Sequence, residues 1–175
     1  MGAEELLTRR LRLRRLRDSD LEAMTAVNSD PEVTEFLSQP VDEEATRIFL
    51  EKTSSHWDEH GFGHWALELR EGPDAGALIG FAGVAYPAFL QSLAHRPEIG
   101  WRLARPAWGR GLATEAALAT RDDAFDRLGL TELISIIDPH NTRSRRVAEK
   151  LGMRVEGHDS LHGRTVEVWV LENRR

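Results

Sequence analysis

The chain has 175 residues, of which 41% are hydrophobic and 30% charged, a composition typical of one globular domain and not of a disordered chain. It contains no cysteine, which excludes disulfides, thiolate metal sites and cysteine nucleophiles. No apolar run approaches the roughly 20 residues that span a bilayer, and arginines interrupt any N-terminal signal core, so we expect a cytoplasmic protein without a membrane partner.

The net charge of −6 is unevenly distributed along the chain. Residues 18–76 carry fifteen Asp or Glu but only three basic residues, so this segment is acidic and the remainder is basic. An acidic protein fits non-specific nucleic-acid binding poorly, so we expect no nucleic-acid partner. The uneven charge suggests a cationic partner at one face and an anionic one at another; the alternative is a pair of well-solvated acidic helices.

Hydrophobic periodicity and turn residues divide the chain into strands and helices without repeats or linkers, which predicts a single domain over residues 1–175. Asp18 is predicted to cap a helix that ends near Asn28, and Asp42 to cap a helix that ends at Gly61. Strands are predicted at 11–13, 64–69, 78–86, 98–104, 131–137, 155 and 166–171, with two further helices at 111–128 and 141–152. This order predicts a mixed α/β sheet that is not doubly wound.

A strand, a glycine-bearing loop and a helix follow one another in residues 101–116. Backbone amides of such a loop, together with the helix dipole, form a pocket for phosphate oxygens, and Gly109 and Gly111 allow the close turn. A tight turn without a ligand would use the same glycines. The loop lacks the Gly-Lys-Ser/Thr ending of a Walker loop and the N-terminal βαβ context of a dinucleotide fingerprint.

A second polar segment follows the predicted strand at 131–137 and opens a helix at Asn141. Asn141 and Ser144 lie on the first turn of this helix, where polar side chains could meet a ligand lying across the strand ends. The alternative is an ordinary helix N-cap followed by a solvated basic face.

Taken together, these segments resemble the GCN5-related N-acetyltransferase (GNAT) superfamily, and within it the RimJ/RimL-like group that acetylates ribosomal-protein N-termini. The acetyl-CoA loop of that family, Gln/Arg-x-x-Gly-x-Gly/Ala, is similar to the stretch Trp108-Gly-Arg-Gly-Leu-Ala113, which Thr114-Glu-Ala continues as in the subgroup. The other matching residues are Glu98-Ile-Gly-Trp101, Asn141, Ser144, Val147, Lys150, Gly152, Met153 and Val155-Glu-Gly157. The resemblance implies an α/β (α+β) fold: a mixed, mostly antiparallel sheet of about six to seven strands, flanked by about four helices, with splayed fourth and fifth strands.

The resemblance also implies which residues meet acetyl-CoA. Free backbone groups of Leu103 would bind pantetheine, amides from Gly109 to Thr114 would hold the pyrophosphate, and Asn141 would reach the pantetheine arm. Arginines in the same region would meet phosphate. The full set of implied cofactor-binding residues is Leu103, Ala104, Arg105, Trp108, Gly109, Arg110, Gly111, Leu112, Ala113, Thr114, Asn141, Arg143 and Ser144.

Two residues depart from the family pattern. Trp108 replaces the usual Gln/Arg, and Tyr86, the only tyrosine, does not match the family's acid. Ser144 is therefore the predicted acid for the departing thiolate. Glu98, on the strand beside the expected thioester position, is the predicted general base. An ion pair with Arg102 on the same strand face is the alternative role for Glu98, and His64, His95, His158 and His162 are alternative bases.

The predicted function is acetyl transfer from acetyl-CoA to a primary amine, by direct attack in a ternary complex, because no nucleophile with an attendant base is visible. A protein or peptide N-terminal amine is the first acceptor class. A small amine, such as a polyamine, an amino sugar or a drug, is the second class, which the acidic segment and the short stretch from His158 to Thr165 would permit. A non-catalytic acyl-CoA-binding module with a regulatory role is the third. Scattered histidines indicate no metal site. The resemblance also makes a homodimer possible.

Overall fold

The computed structural model describes residues 5–173; residues 1–4 and 174–175, the two ends of the predicted domain, lie outside the described residues. Within that range the chain forms eight strands and five α helices. The strands are β1 (Glu5–Leu7), β2 (Leu11–Arg15), β3 (His64–Leu69), β4 (Leu78–Ala85), β5 (Glu98–Leu103), β6 (Glu132–Ile137), β7 (Arg154–Leu161) and β8 (Arg164–Glu172). The helices are α1 (Leu21–Asn28), α2 (Pro31–Thr34), α3 (Glu43–His60), α4 (Leu112–Asp126) and α5 (Thr142–Leu151).

The strands form one open sheet in the order β1-β2-β3-β4-β5-β6-β8-β7. All neighbours are antiparallel except β5 and β6, which are parallel. The predicted mixed, mostly antiparallel sheet is confirmed. It has one strand more than predicted because the short β1 adds to the edge, and one helix more because α2 makes a single turn.

Helix boundaries follow the capping residues that the sequence offers. Asp42 accepts a hydrogen bond from the Ala45 amide at 2.8 Å and begins α3, which ends at Gly61 with a φ of 74°. The predicted cap at Asp18 is wrong, because residues 18–20 form a 3-10 turn. Asp20 is buried instead: its two carboxylate oxygens accept from the Arg14 guanidinium at 2.8 Å each.

Two layers cover the sheet. On one face α4 and α5 pack over a core that contains Leu67, Ile99, Leu103 and Leu133. On the other face α1 and α3 cover β3 and β4 through a smaller cluster that contains Met24 and Leu50. Residues 90–93 cover β6 and β8 on that same face. Between these two covers, one face of β5 stays partly exposed. No described helix is both long and apolar enough to cross a membrane.

Candidate functional site

The parallel strands β5 and β6 separate soon after they meet. They share a single bridge, Glu98 to Ile134, and the Ile134 amide donates to the Pro97 carbonyl at 2.9 Å. At this closed end Arg96 forms ion pairs with Glu132 at 2.8 Å and with Glu156 at 2.6 Å. The predicted splay is therefore confirmed. It lies between the fifth and sixth strands, since β1 shifts the count by one.

The splay leaves backbone groups of β5 without a strand partner. The Ala104 amide donates to the Ile79 carbonyl of β4 at 2.8 Å. Because neighbours alternate in an antiparallel ladder, the backbone groups of Trp101 and Leu103 point away from β4, into the gap. The Leu103 carbonyl, however, accepts the Trp108 indole N–H at 2.8 Å. The expectation that Leu103 offers both backbone groups is thus wrong for its carbonyl and stands for its amide.

Ala104 also differs from the sequence prediction. Its amide is bonded to Ile79, and its carbonyl accepts the Ala107 amide at 2.9 Å as the chain turns towards the glycine loop. Both backbone groups are therefore engaged within the protein. Ala104 could touch a ligand only through its methyl group.

The glycine loop leads into α4 with a left-handed backbone at Gly109 (φ 71°) and Gly111 (φ 74°). A Cβ at Gly109 would meet nothing within 4 Å, and one at Gly111 would meet only an Arg10 guanidinium nitrogen at 3.6 Å. Conformation, and not a close protein neighbour, is therefore what requires glycine at both positions. The loop lies at the surface, so its backbone is accessible.

The start of α4 carries amides that no helix carbonyl satisfies. Gly111 is the N-cap without a side-chain hydrogen bond, and the Glu115 amide makes the first helical bond, to the Gly111 carbonyl at 3.0 Å. The amides of Leu112, Ala113 and Thr114 are thus available, and the helix dipole favours an anion beside them. The Leu112 side chain is buried in the core, so only its backbone could contact a ligand.

Glu115 fixes this helix start against the turn between β1 and β2, a contact that sequence reasoning missed. One carboxylate oxygen accepts from the Thr8 hydroxyl at 2.7 Å and the Arg10 amide at 2.8 Å, and the other accepts the Arg10 guanidinium at 2.7 Å. Burial alone would raise the pKa of Glu115, but these hydrogen bonds outweigh it and hold the pKa below its usual value. Arg10 also donates to the Arg110 carbonyl at 2.8 Å, so it braces the glycine loop.

The second motif begins α5 beside the same gap. The Asn141 side-chain oxygen accepts the Ser144 amide at 3.0 Å, which confirms the N-cap interpretation. The Asn141 side-chain NH₂ remains available for a ligand. Ser144 is partly buried, and its hydroxyl has no hydrogen-bond partner within residues 5–173. Both residues could therefore still play the roles that the motif predicts.

Two of the three arginines predicted to meet phosphate are paired with carboxylates. We call residues 30–37, which include α2, the acidic strap. Arg105 contacts Asp30 at 3.4 Å and Glu32 at 2.6 Å, and Arg143 contacts Glu35 at 3.4 Å. A phosphate at Arg105 or Arg143 would have to compete with the strap, whereas the exposed Arg110 side chain forms no ion pair in the described chain.

The acidic strap also reaches the far side of the gap. The Leu37 carbonyl accepts from Arg164, which in turn pairs with Asp138 just after β6 at 2.8 Å. The Arg143 guanidinium stacks over the Trp108 ring at 4.1 Å. The strap is thus tied to residues on both sides of the splay. Three carboxylates of the acidic segment, Asp30, Glu32 and Glu35, are therefore paired with arginines and do not form an unpaired anionic face.

Glu98 lies at the point where β5 and β6 diverge. Burial raises the pKa of Glu98 to about 8, although a hydrogen bond from the Ile136 amide to the carboxylate opposes the shift. Glu98 forms no ion pair with Arg102 in residues 5–173, so the alternative role proposed from sequence is wrong. A carboxyl group with this pKa can accept a proton near neutral pH and release it again.

The alternative histidine bases are less suitable. Burial, with contributions from His56 and Arg102, lowers the pKa of His64 to about 3, so its imidazole is neutral and weakly basic. His95, His158 and His162 are exposed, and the latter two lie on the β7–β8 hairpin. No group of three potential metal ligands occurs in the described part of the chain.

A trough on β5 runs from Glu98 towards the acidic strap. Side chains alternate along a strand, so Glu98, Gly100 and Arg102 share the partly exposed face, and a Cβ at Gly100 would meet nothing within 4 Å. We call these three residues the β5 trough. Arg102 donates to the Asn28 side-chain oxygen at 2.9 Å, and burial lowers the pKa of Arg102 to about 10. From the sequence, Arg102 was considered only as an ion-pair partner of Glu98. The signal that could have placed it in the site is the two-residue spacing of Glu98, Gly100 and Arg102, which puts all three on one face of the strand.

Comparisons with known proteins agree with this geometry. A family model described as an acetyltransferase (GNAT) domain matches residues 10–154. The uncharacterized N-acetyltransferase YnaD of Bacillus subtilis is 32% identical over 153 residues, which cover 87% of this chain and 84% of that protein.

Solved structures share the fold. The acetyltransferase from Agrobacterium tumefaciens superposes with a TM-score of 0.84 at 29% identity, covering 99% of this chain and 96% of that one. RimL, a ribosomal α-N-protein acetyltransferase in complex with coenzyme A, has a TM-score of 0.76 at 16% identity, with coverages of 95% and 96%. Since the family model spans most of the chain and the fold agrees, this protein belongs to the GNAT family of acetyl-CoA-dependent N-acetyltransferases.

Proposed function

We propose that this enzyme transfers the acetyl group of acetyl-CoA to a primary amine, with a protein or peptide N-terminus as the first acceptor class. The observation that carries the proposal is the β5–β6 splay, which opens beside unsatisfied amides at the start of α4 and has Glu98 at its closed end. Binding, proton removal and acyl transfer could thus occur within one continuous gap.

The residues around the gap fit acetyl-CoA. The amides from Gly109 to Thr114 would hold the pyrophosphate, since they combine exposed backbone with a helix N-terminus. Trp101 and the Leu103 amide would pair with the pantetheine amides, and the Asn141 side-chain NH₂ would add a donor. Arg110 is the cation most readily available to a phosphate, because the acidic strap holds Arg105 and Arg143.

The chemistry requires two protons to leave the acceptor nitrogen, since an ammonium becomes an amide. Acetyl-CoA supplies the thioester whose C–S bond breaks as the new C–N bond forms. Glu98 would take the first proton before attack, as its raised pKa allows. The second would pass from the nitrogen to the Ser144 oxygen as the Ser144 hydroxyl proton goes to the departing thiolate, so that the serine hydroxyl is restored. The chain has no cysteine, and we propose direct attack without an acyl-enzyme.

Two observations favour different classes of amine acceptor. The resemblance of the Asn141–Met153 motif to the ribosomal-protein group supports an N-terminal amine. The acidic strap supports a small amine, because its ion pairs with Arg105 after β5 and with Arg143 on α5 would narrow the entrance for a folded protein. Membership of an acetyltransferase family supports catalysis over the non-catalytic alternative.

Release of free thiol from acetyl-CoA tests the proposal, with N-terminal peptides and small amines as acceptors. We expect turnover with at least one class; turnover with peptides alone supports the first class, and with small amines alone the second. Binding of acetyl-CoA without thiol release from any acceptor would overturn the proposed activity.

The loop assignment is tested separately by calorimetry. Gly111→Val should weaken acetyl-CoA binding roughly 10-fold or more, because a side chain at φ 74° strains the loop whose amides would hold the pyrophosphate. Gly76→Val is the matched control, since Gly76 also has a positive φ of 86° and open space but lies in the β3–β4 turn. Equal affinity for the Gly111 variant and the wild type would contradict the assignment.

A further inference from the structure

Arg102 carries a partly buried charge that no carboxylate neutralises within residues 5–173. Among the described residues its one hydrogen bond goes to the neutral Asn28 side chain at 2.9 Å, and its guanidinium lies 5.3 Å from the centre of the Phe81 ring. Arg14, on the same face of the sheet, differs sharply: it binds both oxygens of Asp20 and also Glu68. Burying an unpaired charge is costly, so an arginine kept in this state calls for an explanation beyond packing.

The donors of Arg102 are only partly used. A guanidinium carries about five N–H donors, and here one of them is engaged, by Asn28. Asn28 is itself held by Thr46, to whose hydroxyl its NH₂ donates at 2.9 Å. This chain of bonds fixes the guanidinium from one side. The residue stays partly exposed, and none of its nitrogens is both buried and unpaired, so the remaining donors are accessible.

Open space separates Arg102 from Glu98 on the same face of β5. Glu98 and Arg102 lie four residues apart on one face of β5, which separates their α-carbons by about 13 Å. Gly100 lies between them without a side chain, and nothing occupies the position of its missing Cβ within 4 Å. The β5 trough therefore has a proton acceptor at one end, open space in the middle and an unneutralised cation at the other end.

We infer that Arg102 binds an oxyanion, a carboxylate or a phosphate, that the amine acceptor itself carries. The acceptor then lies along the β5 trough, with its nitrogen at Glu98, its middle over Gly100 and its oxyanion on the guanidinium. This inference rests on the proposed acetyl transfer and narrows its substrate class to amines that also bear a negative charge. A planar guanidinium suits this task, because its paired donors match the two oxygens of a carboxylate or phosphate.

The same arrangement disfavours polyamines, which the acidic segment of the sequence first suggested. A second ammonium at the far end of the trough would face the Arg102 charge without a carboxylate to receive it. The acidic residues nearest the entrance, in the strap, are already paired with Arg105 and Arg143. The charge available to an acceptor at the Arg102 end of the trough is thus positive.

The experiment compares acceptors that differ only at the far end. A homologous series of straight-chain ω-amino carboxylates starting at glycine is assayed beside the matching carboxamides, aminoalkyl phosphates and α,ω-diamines, and beside peptides with Asp or Asn at the second position. The wild type should prefer the anionic member of each pair. Preference for carboxylates over phosphates, or the reverse, identifies the source of the oxyanion, and preference for diamines overturns the inference.

Arg102→Met should lower kcat/KM for the anionic acceptor roughly 10- to 100-fold, the effect of losing hydrogen bonds to a charged group. It should leave the matching carboxamide within about 3-fold, which a merely structural role could not produce. Arg15→Met is the control, because Arg15 also stacks on an aromatic ring, at 4.5 Å from Trp57, but lies on β2. Equal losses for both acceptors, or none for either, would refute the assignment.

Failure of the two proposals can be told apart. If the wild type releases no thiol with any amine, the acetyl-transfer proposal fails, and the inference is then judged by binding: the amino carboxylate should raise the Tm of the wild type but not of Arg102→Met. If Arg102→Met does not fold, Arg102→Lys replaces it, and it should show an intermediate loss for the anionic acceptor alone. An identical Tm shift by the carboxylate and its carboxamide would overturn the inference.

Discussion

The two faces of the short strand β5 differ in burial and in function, because alternate residues lie on opposite faces. Ile99 and Leu103 point to the α4 side and are almost fully buried. Glu98, Gly100 and Arg102 point to the opposite side and stay partly exposed. Because successive side chains alternate with a period of two, the same six residues supply core packing on one face and chemistry on the other.

This difference explains how a charged trough can be held rigidly. The buried face packs against α4, whose N-terminus carries the unsatisfied amides, so one strand sets the positions of both the trough and the helix start. Substitutions on the buried face should therefore change stability and leave the pH dependence of catalysis intact. Substitutions on the exposed face should do the reverse.

The largest effect is expected at Glu98. Glu98→Gln should lower kcat by about 10²- to 10⁴-fold above about pH 8, the range measured for loss of general-base catalysis. Only the ionised carboxylate accepts a proton, and the pKa of Glu98 is about 8, so kcat/KM of the wild type should rise through that pH while the variant stays flat. Glu132→Gln, at the closed end of the same strand pair, is the control and should keep the rise. If Glu98→Gln also keeps the rise of kcat/KM with pH, Glu98 is not the general base.

On the buried face, Ile99→Ala should lower the free energy of unfolding by about 2–4 kcal/mol, measured by urea denaturation. Ile99 is 1% exposed, so the change leaves a cavity beneath α4, whereas Ile48→Ala at a 40% exposed position should cost far less. The pH–rate profile of the folded Ile99 variant should match that of the wild type. A shifted pH–rate profile would show that the buried face also affects catalysis.

In the middle of the trough, Gly100→Val should raise KM for the acceptor roughly 10-fold while the protein folds normally, since a β-branched residue suits a strand and its Cβ would meet nothing within 4 Å. The Kd for acetyl-CoA should not change. Gly157→Val is the matched control, because Gly157 is also a strand glycine with open space but lies on β7. An unaltered KM for the Gly100 variant would place the acceptor elsewhere.

The smallest effect concerns stability and pH. The folded state raises the pKa of Glu98 from 4.5 to about 8, so it binds a proton that the unfolded chain has released. The resulting stability is fully present below about pH 4.5 and is lost as the pH rises through about 8. Relative to Glu98→Gln, the wild type should therefore show a Tm that falls across this interval, as thermal denaturation can measure. A constant difference would mean that Glu98 is not desolvated.

Local signals were sufficient for most of the fold. The caps at Asp42 and Asn141 predicted two helix starts correctly, and the left-handed glycines at Gly61 and Gly152 predicted two helix ends, since each acts on residues close in sequence. The short strand β1 was not predicted, because three residues are too few to show a hydrophobic periodicity. Asp20, and not Asp18, stabilises the turn before α1 because its partner Arg14 lies on a strand.

The candidate site was harder to predict because its contacts are distant in sequence. Residues close in sequence do not indicate that Glu32 pairs with Arg105. They also do not indicate that the Leu103 carbonyl accepts the Trp108 indole N–H and is therefore not free for a ligand in the gap. The unpaired state of Arg102 was equally invisible, since it depends on which elements surround β5. Motif spacing predicted which segments meet, whereas the state of each charge required the fold.

The position of Trp108 gives the protein a built-in optical signal. Its indole N–H is bonded to the Leu103 carbonyl beside the gap, and its ring lies under the Arg143 guanidinium, which in turn pairs with Glu35 of the acidic strap. Trp57, Trp65 and Trp169 are buried. A ligand that draws Arg143 away from the ring would change the emission of Trp108 far more than that of these three. Intrinsic fluorescence can therefore follow entry into the gap without any label.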